Sequence, residues 1–193
     1  MNMRIFVFFG ILSSILVFAV AADAQRSDYL TDEEIEIVRE AQEIDLRIDV
    51  LVHAMDRRFA ILNINVGNPV KEKKENDIWG PLPTGTRLEL LRDIKRIMQK
   101  AIDDINNLAE RPDSMVVGEP EKGRKPKTYA DLFPKAVRSL AAAAARYEPV
   151  LKSELTKTDV KTEQGVLMDI IDSCTQIADA LTKLPAEVKK AKN

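Results

Sequence analysis

The chain has very little of three residue types on which many active sites and exported folds depend. Its 193 residues include one cysteine, one histidine and seven glycines. A single cysteine excludes a disulfide within the chain. We expect Cys174 to be a small buried hydrophobic residue, because it falls on an apolar helix stripe. Few glycines, 5% aromatic residues and 31% charged residues together indicate a helical, soluble domain.

The single histidine, His53, excludes most cofactors of helical bundles. Di-iron bundles need paired Glu-x-x-His motifs and covalently attached haem needs Cys-x-x-Cys-His, and the sequence has neither. One alternative stays open, a b-type haem held by His53 and a methionine, which would be Met98, Met115 or Met168. Otherwise His53 lies at the edge of the core beside a carboxylate one helical turn away. No serine lies in a nucleophile-elbow motif, so we predict no enzymatic activity.

The chain also lacks an excess of positive charge. It has 29 basic and 31 acidic residues, a net charge of −2. Nucleic-acid-binding domains carry a strong basic excess, so we expect no nucleic-acid partner.

The one long apolar run is at the amino terminus, from Ile5 to Ala22 behind Arg4. It ends in small residues, and Ala22 and Ala24 suit the −3 and −1 pockets of a signal peptidase. We therefore expect residues 1–24 to be a cleaved secretory signal with the cut before Gln25, or before Asp23 in a second register. A retained transmembrane helix is the alternative, because the run just reaches spanning length. The remaining residues, 25–193, are expected to form one exported domain, periplasmic or extracellular.

Four helices with defined ends are predicted in that domain. Thr31 with Glu34 and Thr86 with Glu89 have the spacing of capping boxes. Apolar residues then recur at steps of three and four, which predicts helices over about 31–64, 86–111, 131–157 and 159–184. Within the first range, residues 46–52 also alternate as a strand would, but the flanking pattern favours a helix.

Four amphipathic helices with heptad-like spacing predict an all-α fold, an up-down-up-down four-helix bundle with left-handed, antiparallel neighbours and two long loops. Pro134 favours a start of the third helix near Asp131, and Pro149 predicts a kink or break in it. Leu46, Val50 and Leu51 add apolar surface away from the main stripe of the first helix. That surface is a candidate contact for a partner or for a second subunit in a homodimer.

The two long loops contain the remaining candidates for partner binding. The first holds the only tryptophan, Trp79, in a Pro-rich stretch with Leu82, and is either a recognition surface or a plug that covers the end of the bundle. The second is locally basic, with Arg124, Lys125 and Lys127. Acidic residues expected at the same end cancel this charge, so it is a local patch rather than a basic pole. We expect a binding or structural role at the cell envelope, towards an unidentified protein or envelope component.

Overall fold

The computed structural model describes residues 28–67, 78–114 and 127–184, and five α-helices lie within these ranges. They are α1 (Asp32–Glu40), α2 (Ile44–Ile61), α3 (Arg87–Glu110), α4 (Tyr129–Lys157) and α5 (Lys161–Thr182), with a 3-10 turn at Pro112–Ser114. The described ranges contain no strand, which confirms the all-α prediction. The predicted signal (residues 1–24), Met115, Arg124 and Lys125 lie outside the described residues. None of the described helices is long and apolar enough to cross a bilayer.

The prediction of one helix over residues 31–64 was wrong, because this stretch forms two helices. The backbone leaves the helical region at Ala41 (ψ 77°) and is extended at Glu43 (ψ 136°). Arg47 then donates its Nε–H to the Ala41 carbonyl at 2.9 Å, which closes the corner. As a result α1 folds back along α2, and its first turn lies beside the last turns of α2. The segment around residues 46–52 is helical and not a strand.

Both predicted capping boxes are confirmed. Thr31 accepts the Glu34 amide at 3.2 Å, and the Glu34 carboxylate accepts the Thr31 amide at 3.0 Å. Thr86 and Glu89 make the same reciprocal pair at the start of α3. These side chains satisfy backbone N–H groups that have no partner within the helix, so the two starts are fixed locally.

The third predicted helix, α4, begins at Tyr129 rather than near Asp131, and it runs through Pro149 without a break. Asp131 is the third residue of the helix and accepts the Thr128 amide at 3.0 Å. Pro149 has no backbone N–H, so the carbonyl of Ala145 loses its hydrogen-bond donor within the helix. Both residues are exposed, so water can bind this carbonyl and the helix continues.

The last helix, α5, begins at Lys161, two residues after the start that the sequence predicted. Thr158 instead holds the turn before it, donating its hydroxyl to Glu163 at 2.9 Å and accepting from the Gln164 side chain at 2.8 Å. The short connection makes α4 and α5 an antiparallel hairpin, as expected.

Two other neighbouring pairs are parallel, which corrects the prediction that all neighbours are antiparallel. Asp49 and Asp56 of α2 accept hydrogen bonds from Ser139 and Tyr147 of α4 in the same chain order. In the same way, ion pairs join α3 to α5 in matching order, Arg87 with Glu163 and Lys95 with Asp169. The apolar stripes define which face of each helix is buried, but they do not specify which neighbour covers it.

The core lies between α2, α3, α4 and α5, and α1 covers one side of α2. The alanine run of α4 gives close packing, since Ala141, Ala143 and Ala144 are all buried. Leu51, expected on an additional outer surface, is fully buried in this core, whereas Leu46 remains 49% exposed. Leu51 was misassigned because it lies three residues after Ile48 and four before Met55, so it belongs to the buried face of the helix that both of these residues share.

Candidate functional site

A cluster of fully buried charges joins α1, α2 and α3. Glu34 of α1 accepts hydrogen bonds from Arg57 at 2.7 Å and from both terminal nitrogens of Arg58 at 3.0 and 2.9 Å. The Arg58 Nε lies 3.5 Å from the Asp93 carboxylate of α3. All four residues are at most 5% exposed. Buried charges are tolerated in proteins when they are paired and hydrogen-bonded, and each of these four is paired.

The remaining donors of Arg58 bind backbone carbonyls. One nitrogen donates to Ala54 at 2.8 Å and the other to Tyr29 at 2.6 Å. Glu34 also belongs to the capping box of α1, so one carboxylate caps the start of a helix and pairs with two guanidinium groups. This shared role fixes α1 on the last turns of α2.

A second buried network begins at the residue before Arg57. The Asp56 carboxylate is 1% exposed; it accepts the Tyr147 hydroxyl at 2.6 Å and lies 3.3 Å from the Arg146 guanidinium. Burial, and then the neighbouring Asp56, raise the pKa of Tyr147 well above its usual value. The two networks together contain three acidic and three basic groups, so their charges balance inside the fold.

The segment that carries Trp79 is fastened to α2 by Arg57. The Arg57 guanidinium donates to the carbonyls of Gly80 at 3.0 Å and Pro81 at 2.7 Å, and lies 5.6 Å from the centre of the Trp79 ring. The Trp79 and His53 rings have centroids 4.2 Å apart at 58°. Trp79 is partly buried against the core and partly exposed.

The backbone conformation at this contact favours glycine at position 80. Its φ of +62° is in the left-handed region, which side chains rarely adopt. A Cβ added there would also lie 2.6 Å from the Glu33 side chain of α1. The Trp79 segment therefore packs closely against both α1 and α2.

The outer face of α2 and this segment form a partly apolar surface, here called the α2 strip and defined as Leu46, Val50, His53 and Trp79. Steps of four and three residues place Leu46, Val50 and His53 on one helix face. Trp79 extends that face by packing on His53. Leu46 is half exposed, and the other three residues are partly exposed.

The other sequence candidates for partner binding lie elsewhere. Leu82 is partly buried after the Trp79 segment, and Lys127 is bound to Glu43 at the start of α2. For the haem alternative, the structure places His53 against Trp79, Met98 fully buried in the core and Met168 51% exposed on α5. A haem bound by His53 and a methionine stays a prediction, which a Soret band abolished by His53→Ala tests.

Other potential reactive features of the described residues are few. Cys174 is 1% exposed, and burial raises the pKa of its thiol to about 12, as expected for an unreactive core residue. The residues that the structure describes contain no cluster of three or more side chains suited to a metal ion. A cavity of about 50 Å³ lies between α3, α4 and α5, lined mostly by aliphatic side chains with Asn106 and Gln176.

The paired arginines were missed from the sequence, although a signal was present. In the helical pattern, Arg58 lies three residues after Met55 and four after Ala54, on the buried face. A charge at such a position predicts a buried partner, but the sequence alone does not show that the partner is Glu34. Comparison with protein-family models, curated proteins and solved structures found no significant match to this chain.

Proposed function

We propose that this is an exported, non-enzymatic helical-bundle protein that binds a partner at the cell envelope through the α2 strip. In this proposal α2 to α5 form a four-helix bundle, and α1 is an additional helix that holds the Trp79 segment in place. Export is proposed from the signal-like sequence of residues 1–24.

The non-enzymatic part of the proposal is supported by the interior charges. The buried residues Glu34, Asp56, Arg57 and Arg58 make hydrogen bonds and ion pairs to one another, to neighbouring side chains and to the backbone. A catalytic acid or base needs access to a substrate, and these groups are covered. Their arrangement is therefore the one expected for groups that fix the positions of helices.

The observation that carries the binding role is the rigidly held aromatic pair. Aromatic side chains on a preorganised surface are common anchors in protein interfaces, because little conformational freedom is lost on binding. Here Arg57 fixes the Trp79 segment through two backbone carbonyls, while part of the ring stays exposed. Leu46, half exposed on the same face, adds an apolar contact.

Position-specific photo-crosslinking in the producing cell tests this function. A benzophenone amino acid at Leu46 is compared with the same residue at Met168 on α5, because the two native side chains are 49% and 51% exposed. We expect a discrete adduct in the envelope fraction from position 46 and none from position 168. Equal adducts from both positions, or none from position 46, would contradict the binding role. Mass spectrometry of the exported protein tests for loss of residues 1–24 in the same preparation.

A further inference from the structure

We propose that the α2 strip docks a cationic amphipathic segment of a partner protein, with the partner's apolar side chains on Leu46 and Trp79 and its basic side chains towards α1. This inference rests on the proposed binding function and specifies the chemistry of the partner. It follows from the apolar character of the strip together with the charge that surrounds it.

The spacing of the residues in the α2 strip matches the spacing of apolar residues on an amphipathic helix. Leu46, Val50 and His53 follow steps of four and three residues along one face of α2, and Trp79 continues the row towards its carboxyl end. A partner helix that presents apolar residues at similar intervals can contact such a row along its length. The row lies on the outer side of α2, whereas α3 and α4 pack on its other sides.

The charge beside the strip is strongly negative. On α1 and just before it, between residues 28 and 40, five acidic side chains are exposed: Asp28, Asp32, Glu33, Glu36 and Glu40. Only Arg39 offsets them in the same stretch, which leaves four net negative charges. The whole chain has a net charge of only −2, so this surface is far more acidic than the average.

The fold brings this charge to the edge of the strip. The turn at Ala41 and the Glu34 ion pairs fold α1 along α2, and the Glu33 side chain packs beside Gly80, next to Trp79. On the α4 side of α2, Arg138 and Arg146 are partly buried and Lys135 is exposed, and Arg146 pairs with Asp56. The negative potential is therefore on the α1 side, where the basic residues of the partner are placed.

The sign of this charge selects between partners. Anionic lipids and anionic cell-wall polymers would be repelled by the carboxylates of α1, whereas a basic segment would be attracted and oriented by them. We therefore assign the strip to a basic protein segment and not to an anionic envelope surface.

Fluorescence anisotropy with two matched peptides tests the inference on the full chain. The first probe is a fluorescein-labelled helical peptide of leucine and lysine, and the second has glutamate in place of every lysine. We expect the lysine peptide to bind, with a Kd that rises with salt, and the glutamate peptide to bind at least tenfold more weakly. Leu46→Ser is expected to weaken binding of the lysine peptide about fivefold, because it removes a half-exposed apolar contact.

Charge reversal is tested with a matched control. The double variant Glu36→Lys/Glu40→Lys changes the charge of α1 by four, and we expect it to weaken binding of the lysine peptide about tenfold. The control for charge is the double variant Asp172→Lys/Asp179→Lys, which makes the same change of charge at exposed positions of α5. The control for Leu46→Ser is a separate variant, Met168→Ser, also at an exposed position of α5. Neither control is expected to change Kd by more than about twofold, because α5 packs on α3 and α4 and not beside the strip.

The outcomes separate this inference from the proposed function. The glutamate peptide or phosphatidylglycerol vesicles could bind instead, and Leu46→Ser could weaken that binding. This result would overturn the cationic chemistry of the partner but would support the α2 strip as a binding surface. If the charge reversals on α5 and on α1 weaken binding of the lysine peptide equally, the attraction is non-specific and the inference is overturned. If no probe binds in a way that depends on Leu46, both the inference and the α2 strip as a binding surface are overturned.

Discussion

Neutralising Glu34 tests the buried charge cluster most sharply. Glu34→Gln keeps the size of the side chain, and glutamine also serves in a capping box, so the change removes mainly the negative charge. It leaves Arg57 and Arg58, which are 2% and 0% exposed, without the carboxylate that joins them. Removing one partner of a buried ion pair lowers the unfolding free energy by roughly 3–5 kcal/mol. For a domain of this size we expect Tm to fall by roughly 6–20 °C.

The assay is differential scanning calorimetry with urea denaturation of the same samples. The matched control is Glu36→Gln, two residues along the same helix, where Glu36 and its partner Arg39 have side chains 59% and 69% exposed. A surface pair of this kind contributes up to about 1 kcal/mol. Equal small changes in Tm for the two variants would refute the conclusion that Glu34 holds α1 on α2.

Three further predictions concern the packing of single residues. Gly80→Ala should lower the unfolding free energy by about 1–2 kcal/mol through its positive φ, about as much as Gly67→Ala, where φ is also positive. The Glu33 side chain that the new Cβ would meet is exposed and can move aside, so a much larger loss at Gly80 than at Gly67 would contradict this reasoning. Cys174 should react with Ellman's reagent at pH 8 only after unfolding, and fast reaction of the native protein would contradict its burial. Tyr147→Phe should lower the unfolding free energy measured by urea denaturation by about 1–3 kcal/mol, because it removes the hydroxyl that donates to the buried Asp56 carboxylate. An unchanged unfolding free energy would show that water replaces the hydroxyl.

Stability at alkaline pH follows from the direction of two pKa shifts. Burial raises the pKa of Cys174 from 9.0 to about 12 and that of Tyr147 well above 10.0. The folded state therefore keeps protons that the unfolded state loses above pH 9, so the unfolding free energy should fall as pH rises from about 9 to 12. Urea midpoints measured across this range check the prediction, and Cys174→Ala should show a smaller decrease. A flat profile in the parent protein would contradict the burial of both groups.

The sequence predicted the features that depend on local physics. The capping boxes at Thr31 and Thr86 and the bounds of α3 follow from hydrogen bonds and apolar spacing within a few residues. Cys174 was placed correctly because a helical stripe defines its buried face. The all-α class followed from the same repeated spacing.

The features that the sequence did not predict depend on contacts between distant residues. No glycine or proline marks the corner at Ala41, and the chain turns there because α1 gains the Glu34 pairs by folding back. The parallel packing of α2 on α4 is fixed by contacts such as Tyr147 with Asp56, which are about ninety residues apart in sequence. For the same reason, Trp79 was expected either to cover the bundle or to bind a partner, and only the structure places it on His53.

The central claim is that α1 folds back on α2, so that one set of buried charges fixes both helices and the Trp79 segment. A distance measured by double electron–electron resonance between spin labels at Asp32 and Ala60 tests it directly. Both positions are exposed, and the buried Cys174 should not take a label. A single straight helix would separate these positions by about 42 Å. The folded-back arrangement predicts a narrow distribution at less than half that distance, whereas a maximum near the full length would contradict it.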